Sequence, residues 1–468
     1  MVIEQIYTGC LAQGAYYIES KGEVAIIDPL REVQDYIDKT QKNNAKIKYI
    51  FETHFHADFV SGHVTLAEKT NAQIIFGPTA KTNFNAIIAE DKQVFTLGEL
   101  TITVLHTPGH TMESTCYLLK DENGKDHALF SGDTLFLGDV GRPDLAQKGT
   151  LTENDLAGYL FDSLRKKVMP LADDVIVYPA HGAGSACGKN LSKETVGTIG
   201  NQKATNYALR ADMSKDEFIK EVTDGLLPPP AYFPLNVKLN KEGYQDVDKV
   251  IERSAKPLNA KEFEVLANET DAIILDVRHQ EDFIKGFIPQ SIFIGINGGF
   301  APWVGALIKD IHQPILLVTP AGKEEDTITR LSRVGFDNVL GYLDGSFNAW
   351  KSTGKEIDAL ESVSALALAE KIKENAFVFD VRKPGEFNSE HIENVPNTPL
   401  DFINNHITEF PEKAPFYVHC AGGYRSVIAA SILKARGFHN VIDVAGGYAA
   451  IKKTAIKTTA FVCPSTLK

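Results

Sequence analysis

Short apolar runs recur through the first half of the chain, and several close on turns rich in His, Gly or Asp. Val24–Ile27, Tyr49–Phe51, Gln73–Phe76, Leu100–Leu105 and Val175–Tyr178 predict strands, because runs this short, bounded by turn residues, fit strands better than helices. Leu226–Pro234 reads LLPPPAYFP. Proline lacks the N–H that a helix interior needs, so this stretch predicts an extended segment. Its aromatic residues predict a tail wrapped on the preceding domain. The charge-rich stretch 211–224 predicts a helix with a solvated face.

The second half repeats itself. AIILDVRHQEDFIKGFIP (272–289) is echoed by AFVFDVRKPGEFNSEHIE (376–393), and VGFDNVLGYLDGSFNAW (334–350) by RGFHNVIDVAGGYAAI (436–451). The offset of about 100 residues is the size of a domain and too long for a solenoid repeat. Each copy alternates strand-like runs (IILDV, PILLV, NVLGY; then FVFDV, FYVHC, NVIDV) with helical stretches. That alternation predicts βα units around a parallel sheet.

Composition narrows the possibilities. At 468 residues the chain exceeds a single core, and three domains are expected: 1–240, 255–355 and 362–465. Hydrophobic residues make up 43% and charged residues 23%, ordinary for a globular protein. No apolar run reaches the ~18 residues of a membrane span, and no secretory signal is expected at the N-terminus. Five cysteines are few and odd in number, which argues against a disulfide framework and for a reducing cytoplasm. A net charge of −13 disfavours nucleic acid or an anionic membrane as partner, but not a small anion in a local pocket.

Candidate chemistry lies at strand ends. His54, His56, Asp58, His63, His110, Asp133 and His181 are the candidate metal ligands, the main ones following YIFETH, ITVLHTPGH, HALFSGD and VIVYPAH. Side chains just past strand ends converge on one sheet edge. Four junctions, each bearing His or Asp, point to a shared metal rather than to separate structural histidines. GDVGRPD (138–144) follows Asp133 closely and is expected to line the pocket, with Arg142 placed to bind an anionic group. Tyr178 and Cys187 flank His181. Tyr178 is a candidate substrate contact, and Cys187 is expected to be a buried structural cysteine.

These positions resemble the metallo-β-lactamase superfamily, whose motif is H-x-H-x-D-H, then a distant His, a bridging Asp and a last His. The resemblance covers residues 1–230 through His54, His56, Asp58, His110, Asp133 and His181, and implies an αββα sandwich. The departure is Phe59, which stands where two-metal members carry a histidine. A phenyl ring donates no lone pair, and Asp58 with His181 alone makes a poor second site. One metal is therefore expected. His54, His110 and Asp133 form a two-imidazole, one-carboxylate triad suited to non-haem Fe(II). This looks like the persulfide dioxygenase branch, in which His56, Asp58 and His181 become outer residues that orient ligands and water. The resemblance implies one Fe(II) per N-terminal domain. It also implies oxidation of low-molecular-weight thiol persulfides, such as glutathione persulfide, by O2 to sulfite. Members of that branch include dimers and tetramers, which leaves a homo-oligomer open.

The second site is HCAGGYRS, His419 to Ser426, between a strand-like run and an apolar helix. A glycine-containing loop that opens a helix aims backbone N–H groups at one point and favours negative charge there. Cys420 heads the loop and Arg425 closes it. Both copies of the repeat resemble the rhodanese sulfurtransferases, which implies that Cys420 carries a transferable sulfane sulfur. In the first copy, ILLVTPAGKEED, Pro320 takes the place of Cys420 and no arginine closes the loop, so residues 255–355 are expected to be silent. Cys10, Cys116 and Cys463 belong to no motif.

The expected whole is a multidomain α/β protein: an αββα sandwich followed by two rhodanese-like domains with parallel sheets. It would link persulfide, O2, sulfite and thiosulfate in the cytoplasm, with neither nucleic acid nor membrane as partner. The alternative is a zinc-dependent thioester hydrolase of the glyoxalase II type fused to a sulfurtransferase.

Overall fold

Alternation along the second strand, Gln13–Ser20, lays out the N-terminal layers. Tyr16 and Ile18 point into one core with Ile27, Phe51, Phe95, Ile102, Tyr117 and Phe130. Ala15 and Tyr17 point into another with Ile26, Ile50, Tyr36 and Leu66. Successive side chains face opposite sides of a sheet, so the first core lies between two sheets and the second lies under helices.

The computed structural model describes residues 1–147, 150–189 and 191–463; residues 464–465 of the third expected domain lie outside these. The chain forms two compact units: Met1–Lys249 with Ser332–Gly335, and Val250–Leu331 with Phe336–Lys468.

In the first unit, one sheet runs Val2–Thr8, Gln13–Ser20, Glu23–Ile27, Lys46–Phe51, Gln73–Phe76, Ile87–Ile88. Its first pairings are antiparallel and the rest parallel. The other sheet runs Gly197–Thr198, Ile176–Pro179, Asp126–Gly132, Thr115–Lys120, Leu100–His106, Val94–Leu97. It is antiparallel except where Asp126–Gly132 meets Ile176–Pro179. A third cluster, including Leu118, Leu129, Leu160 and Phe218, packs helices on its outer face. The four layers are the αββα sandwich. Helix Glu153–Ser163 starts at a capping box in which Thr152 accepts from Asp155 N–H and Asp155 accepts from Thr152 N–H, satisfying two donors that a helix start leaves free.

The proline-rich segment departs from expectation at its end. Phe233 and Pro234 open a helix, Phe233–Glu242, because proline in the first turn loses only an N–H that had no partner there. Tyr232 and Phe233 are buried, so the tail does pack on its domain. The charged helix is Lys215–Thr223; it buries Phe218 and Val222 and exposes its charged face.

The second unit holds two parallel sheets, one per repeat: Pro257–Leu258, Val339–Leu343, Ile315–Val318, Ile273–Asp276, Ile292–Phe293, and Glu361–Val363, Val441–Val444, Phe416–His419, Phe377–Asp380. The repeated D-V-R is a structural fork. Arg278 grips Asp276 and the Gly286 carbonyl, and Arg382 grips Asp380 and the Glu390 carbonyl. The two guanidinium groups lie over Phe347 at 4.4 Å and Tyr448 at 3.9 Å. A buried carboxylate is tolerated when a planar fork satisfies it. Among the described residues no helix is long and apolar enough to cross a membrane.

Truncating Phe130, fully buried between the sheets, is expected to cost about 3–5 kcal/mol of unfolding free energy. Leu366, 71% exposed, is expected to change it by under about 0.5 kcal/mol on truncation. Urea denaturation of Phe130→Ala and Leu366→Ala checks the contrast.

Candidate functional site

Every expected ligand of the N-terminal site follows a strand and is buried: His54, His56 and Asp58 after Lys46–Phe51, His110 after Leu100–His106, Asp133 after Asp126–Gly132, His181 after Ile176–Pro179. The donor atoms of His54, His110 and Asp133 lie within 4.8 Å of one another. His110 Nε2 is 3.4 Å and His54 Nε2 3.8 Å from Asp133 Oδ2.

Neighbours determine which imidazole nitrogen carries the proton. His110 Nδ1 donates to the Arg142 carbonyl at 2.8 Å. His181 Nδ1 faces the Ala12 carbonyl at 3.3 Å. Thr53 Oγ1 donates to Asp28 at 2.8 Å and so accepts from His54 Nδ1 at 3.0 Å. Carbonyls only accept, so the Nε2 lone pairs of all three rings remain for the centre. Burial, then the neighbouring histidines, push His54 well below its usual range, which keeps it a neutral donor.

His56 behaves differently. Its Nε2 lies 3.1 Å from Asp28 and 3.5 Å from Glu52. Burial alone would lower its pKa, but these carboxylates raise it to about 9. His63 pairs with Glu52 at 3.2 Å under the rings of Phe76, Phe84 and Tyr244 and stays out of the centre. Phe59 is fully buried and lies 4.4 Å from the His56 ring.

A second donor set lies beside the first. The donor atoms of Asp133, His181 and Cys187 converge, as do those of His56, Asp58 and His181. His181 Nε2 is 3.4 Å from Asp58 and 3.6 Å from Asp133. Cys187, expected to be a buried structural cysteine, is buried and also borders the centre. Burial, then Asp58 and Asp133, push its thiol well above the usual range.

Two expectations at this site are corrected. The Arg142 guanidinium is bound to Asp144 at 2.6 and 2.7 Å, Leu227 O at 2.5 Å and Ala186 O at 3.3 Å. Four of its five N–H groups are bound within its own domain, and its carbonyl serves the site by accepting from His110. Tyr178 stacks on Phe130 at 5.2 Å and against Tyr16 in the inter-sheet core, on a strand face that looks away from the ligands. Sequence reading missed Gly141, where an added Cβ would come within 2.0 Å of Asp133 O and 3.0 Å of His110 Nδ1. The glycines of GDVGRPD were its signal.

The donors fit a metal. Both Asp133 oxygens, Asp58 Oδ1 and His181 Nε2 are buried without a hydrogen-bond partner in the protein. Leaving such groups unpaired costs about 1–3 kcal/mol each. Two imidazoles and a carboxylate around one point answer that cost with a divalent cation.

In the second unit, the sulfur of Cys420 accepts from Gly423 N–H at 3.1 Å and its thiol faces Ser426 Oγ at 3.5 Å. Gly423 has φ +97°, a left-handed conformation open to glycine that turns its N–H inward. Helix Arg425–Ala435 begins at the loop. Arg425 ends the loop that Cys420 begins and its charge acts on Cys420, while both its terminal nitrogens bind Glu386, at 2.5 and 2.8 Å. Glu386 was missed, although it sits in the repeated DVR segment.

The silent copy needs a shift of one residue. Asp276 pairs with Val318, and Asp380 with His419. Thr319, not Pro320, thus occupies the Cys420 position, and Glu324 that of Arg425. Glu324 accepts from Gly322 N–H at 3.1 Å and Thr319 Oγ1 at 3.3 Å. A threonine hydroxyl carries no sulfane sulfur, so the copy still lacks the chemistry.

Comparison with known proteins agrees with this architecture. Residues 8–181 match the metallo-beta-lactamase superfamily, and residues 259–353 and 364–454 each match the rhodanese-like domain. The chain thus carries a metallo-beta-lactamase domain followed by two rhodanese-like domains. It is similar to a probable hydroxyacylglutathione hydrolase of Schizosaccharomyces pombe, 31% identical over 166 residues, or 35% of this chain and 60% of the relative. It is also similar to glyoxylase B2 of Dictyostelium discoideum, 29% identical over 225 residues, or 43% of this chain and 71% of the relative. The chain thus spans about 60% of the length of the first of these. A Staphylococcus aureus metallo-beta-lactamase crystal structure superposes with TM-score 0.65 and 29% identity, covering 73% of this chain and 98% of that one.

The Glu386–Arg425 pair gives a pH dependence. Burial alone would raise the Glu386 pKa, but Arg425 holds it below the usual range. Its stabilising contribution is therefore present above the unfolded glutamate pKa of about 4.3 and lost as pH falls through the folded value. The carboxylate is 37% exposed, so about 0.5–1 kcal/mol is expected after screening. Glu386→Gln is expected to flatten this acid limb of stability, read by urea melts across acid pH.

Proposed function

We propose that the N-terminal domain oxidises a low-molecular-weight thiol persulfide with O2 to sulfite, and that Cys420 exchanges sulfane sulfur between sulfite and thiosulfate. The observation that carries the first half is the His54–His110–Asp133 triad with buried Phe59 standing where a further histidine donor would be. Three donors on one side leave positions for both reactants. When bound, Fe(II) would supply electron density to O2.

The chain's own residues do the rest. Thr53 and the Arg142 carbonyl orient the two imidazoles. His181, between Asp58 and Asp133, is placed to hold water and move its proton. The balance is persulfide plus O2 plus water giving thiol plus sulfite. At Cys420, sulfite attacks the outer sulfur of a cysteine persulfide, the S–S bond breaks, and thiosulfate and cysteine thiolate leave. The Gly423 N–H on the sulfur and the helix start behind it favour the negative charge there. In the reverse sense, the Cys420 thiolate takes the outer sulfur of thiosulfate and releases sulfite; a low-molecular-weight thiolate then attacks that sulfur, leaves as the persulfide and regenerates the Cys420 thiolate.

A second reading has its own support. Cys187 joins Asp133 and His181, offering donors for a second ion, and a curated relative is named as a hydroxyacylglutathione hydrolase. That reading is a zinc thioester hydrolase fused to a sulfurtransferase.

Metal analysis after anaerobic purification, with O2 uptake on a panel of thiol persulfides, separates the two. A single iron per chain and O2 uptake are expected. His110→Ala is expected to lower uptake by about 100-fold or more, since a lost ligand empties the site. Cys420→Ser is expected to leave uptake unchanged while abolishing thiosulfate, with the sulfite it would have consumed accumulating instead. Two zinc ions, thioester turnover and no O2 uptake would replace the dioxygenase with the hydrolase.

A further inference from the structure

The loop bearing His54, His56, Asp58 and Phe59 is held by a residue nearly two hundred positions away. Asn240 is 1% exposed, on helix Phe233–Glu242. Its Nδ2 donates to the His56 carbonyl at 2.8 Å and the Phe59 carbonyl at 2.8 Å, and its Oδ1 accepts from Ser61 N–H at 2.9 Å. Two carbonyls and one N–H fit a single orientation of the amide, because only Nδ2 can donate and only Oδ1 can accept.

The same element engages the chain again just downstream. Tyr244 accepts from Val64 N–H at 3.2 Å, at the start of helix His63–Thr70 that leaves this loop. Val237 packs under the first sheet with Tyr36 and Leu66. Val237, Asn240 and Tyr244 lie beyond residues 8–181, the segment that matches the superfamily.

We infer that Asn240 is a positioning residue for the metal centre: by tying both ends of His56–Ser61 to one amide, it sets where Asp58 and Phe59 stand relative to His54, His110 and Asp133. This rests on the reading that those three residues hold a metal. An irregular loop has no ladder to satisfy its carbonyls, and buried carbonyls left unpaired would pull it into another conformation. Asn240 supplies that missing ladder. Removing it frees the loop to move Phe59, which keeps a further donor out, and Asp58, which faces His181.

The substitution that tests this is Asn240→Asp, nearly identical in shape but unable, as a carboxylate, to donate to either carbonyl. Fe(II) affinity is read by competition with a chromophoric chelator, and melting temperature is measured with and without Fe(II). Supporting residues of metal ligands typically carry about 10–100-fold in affinity, and a loss of at least about tenfold is expected, with the metal-induced rise in melting temperature shrinking accordingly. A purely structural role lowers both melting temperatures together and leaves affinity unchanged, which overturns the inference. Asn240→Ala, which removes both donors and the acceptor without adding charge, is carried in parallel and is expected to lose affinity by at least about tenfold as well; it serves as the test if the aspartate variant does not accumulate. His110→Ala is the control. Lost binding there with wild-type affinity in both Asn240 variants overturns the role of Asn240 alone, and wild-type affinity in His110→Ala overturns the metal reading as well.

Discussion

Asp133 is buried with both carboxylate oxygens lacking a hydrogen-bond partner in the protein, and much of the N-terminal domain is arranged around that. A carboxylate out of water needs cations or donors at close range. The rings of His54, His110 and His181 point their Nε2 atoms at it. The rings of His110 and His181 are oriented from behind by carbonyls of other loops, and that of His54 by the hydroxyl of its neighbour Thr53. The centre is thus a shell of lone pairs facing inward and protons facing outward, which suits a cation and little else. Gly141 lets its loop pass against Asp133, and the same loop gives the Arg142 carbonyl to His110.

Charge is kept apart from that shell by pairing at its rim. His56 is held between Asp28 and Glu52, and His63 also leans on Glu52. The Phe59 ring packs at a tilt against His56. The rim therefore distinguishes His54, whose pKa burial pushes down, from His56, whose pKa its carboxylate neighbours raise, though the two lie two residues apart. Cys187 and Asp58 extend the donor set on the far side of Asp133. The choice of metal number thus turns on a few side chains rather than on the fold.

The second unit shows the reverse division. Its two copies keep the Asp–Arg fork, the ring beneath it and the parallel sheet. They differ in the loop at the strand end. One presents Cys420 with an inward N–H and an Arg425–Glu386 pair outside. The other presents Thr319 and closes on Glu324. Scaffold and chemistry are separable because the fork braces the sheet while the loop is read only by its own backbone.

Pattern along the chain sufficed for five strands of the first half, for the duplication and for the parallel βα class of the second half, because alternation and repeat length are local properties of the chain; the αββα sandwich was implied by the resemblance of the His and Asp motif instead. The convergence of the candidate donors was legible in part: His and Asp at four strand ends pointed to one shared place, but not to two sheets, His54, His56 and Asp58 following a strand of the first and His110, Asp133 and His181 strands of the second. The sequence by itself determined donor types and their places along the strands. Only the tertiary structure decided which nitrogen faces inward, that Arg142 and Tyr178 are engaged within their own domain, that Cys187 borders the centre, and that Thr319 rather than Pro320 stands opposite Cys420. It alone disclosed Glu386 and Asn240 as partners of distant loops. Side-chain direction and long-range hydrogen bonds depend on which segments meet in space, and spacing along the chain does not encode that.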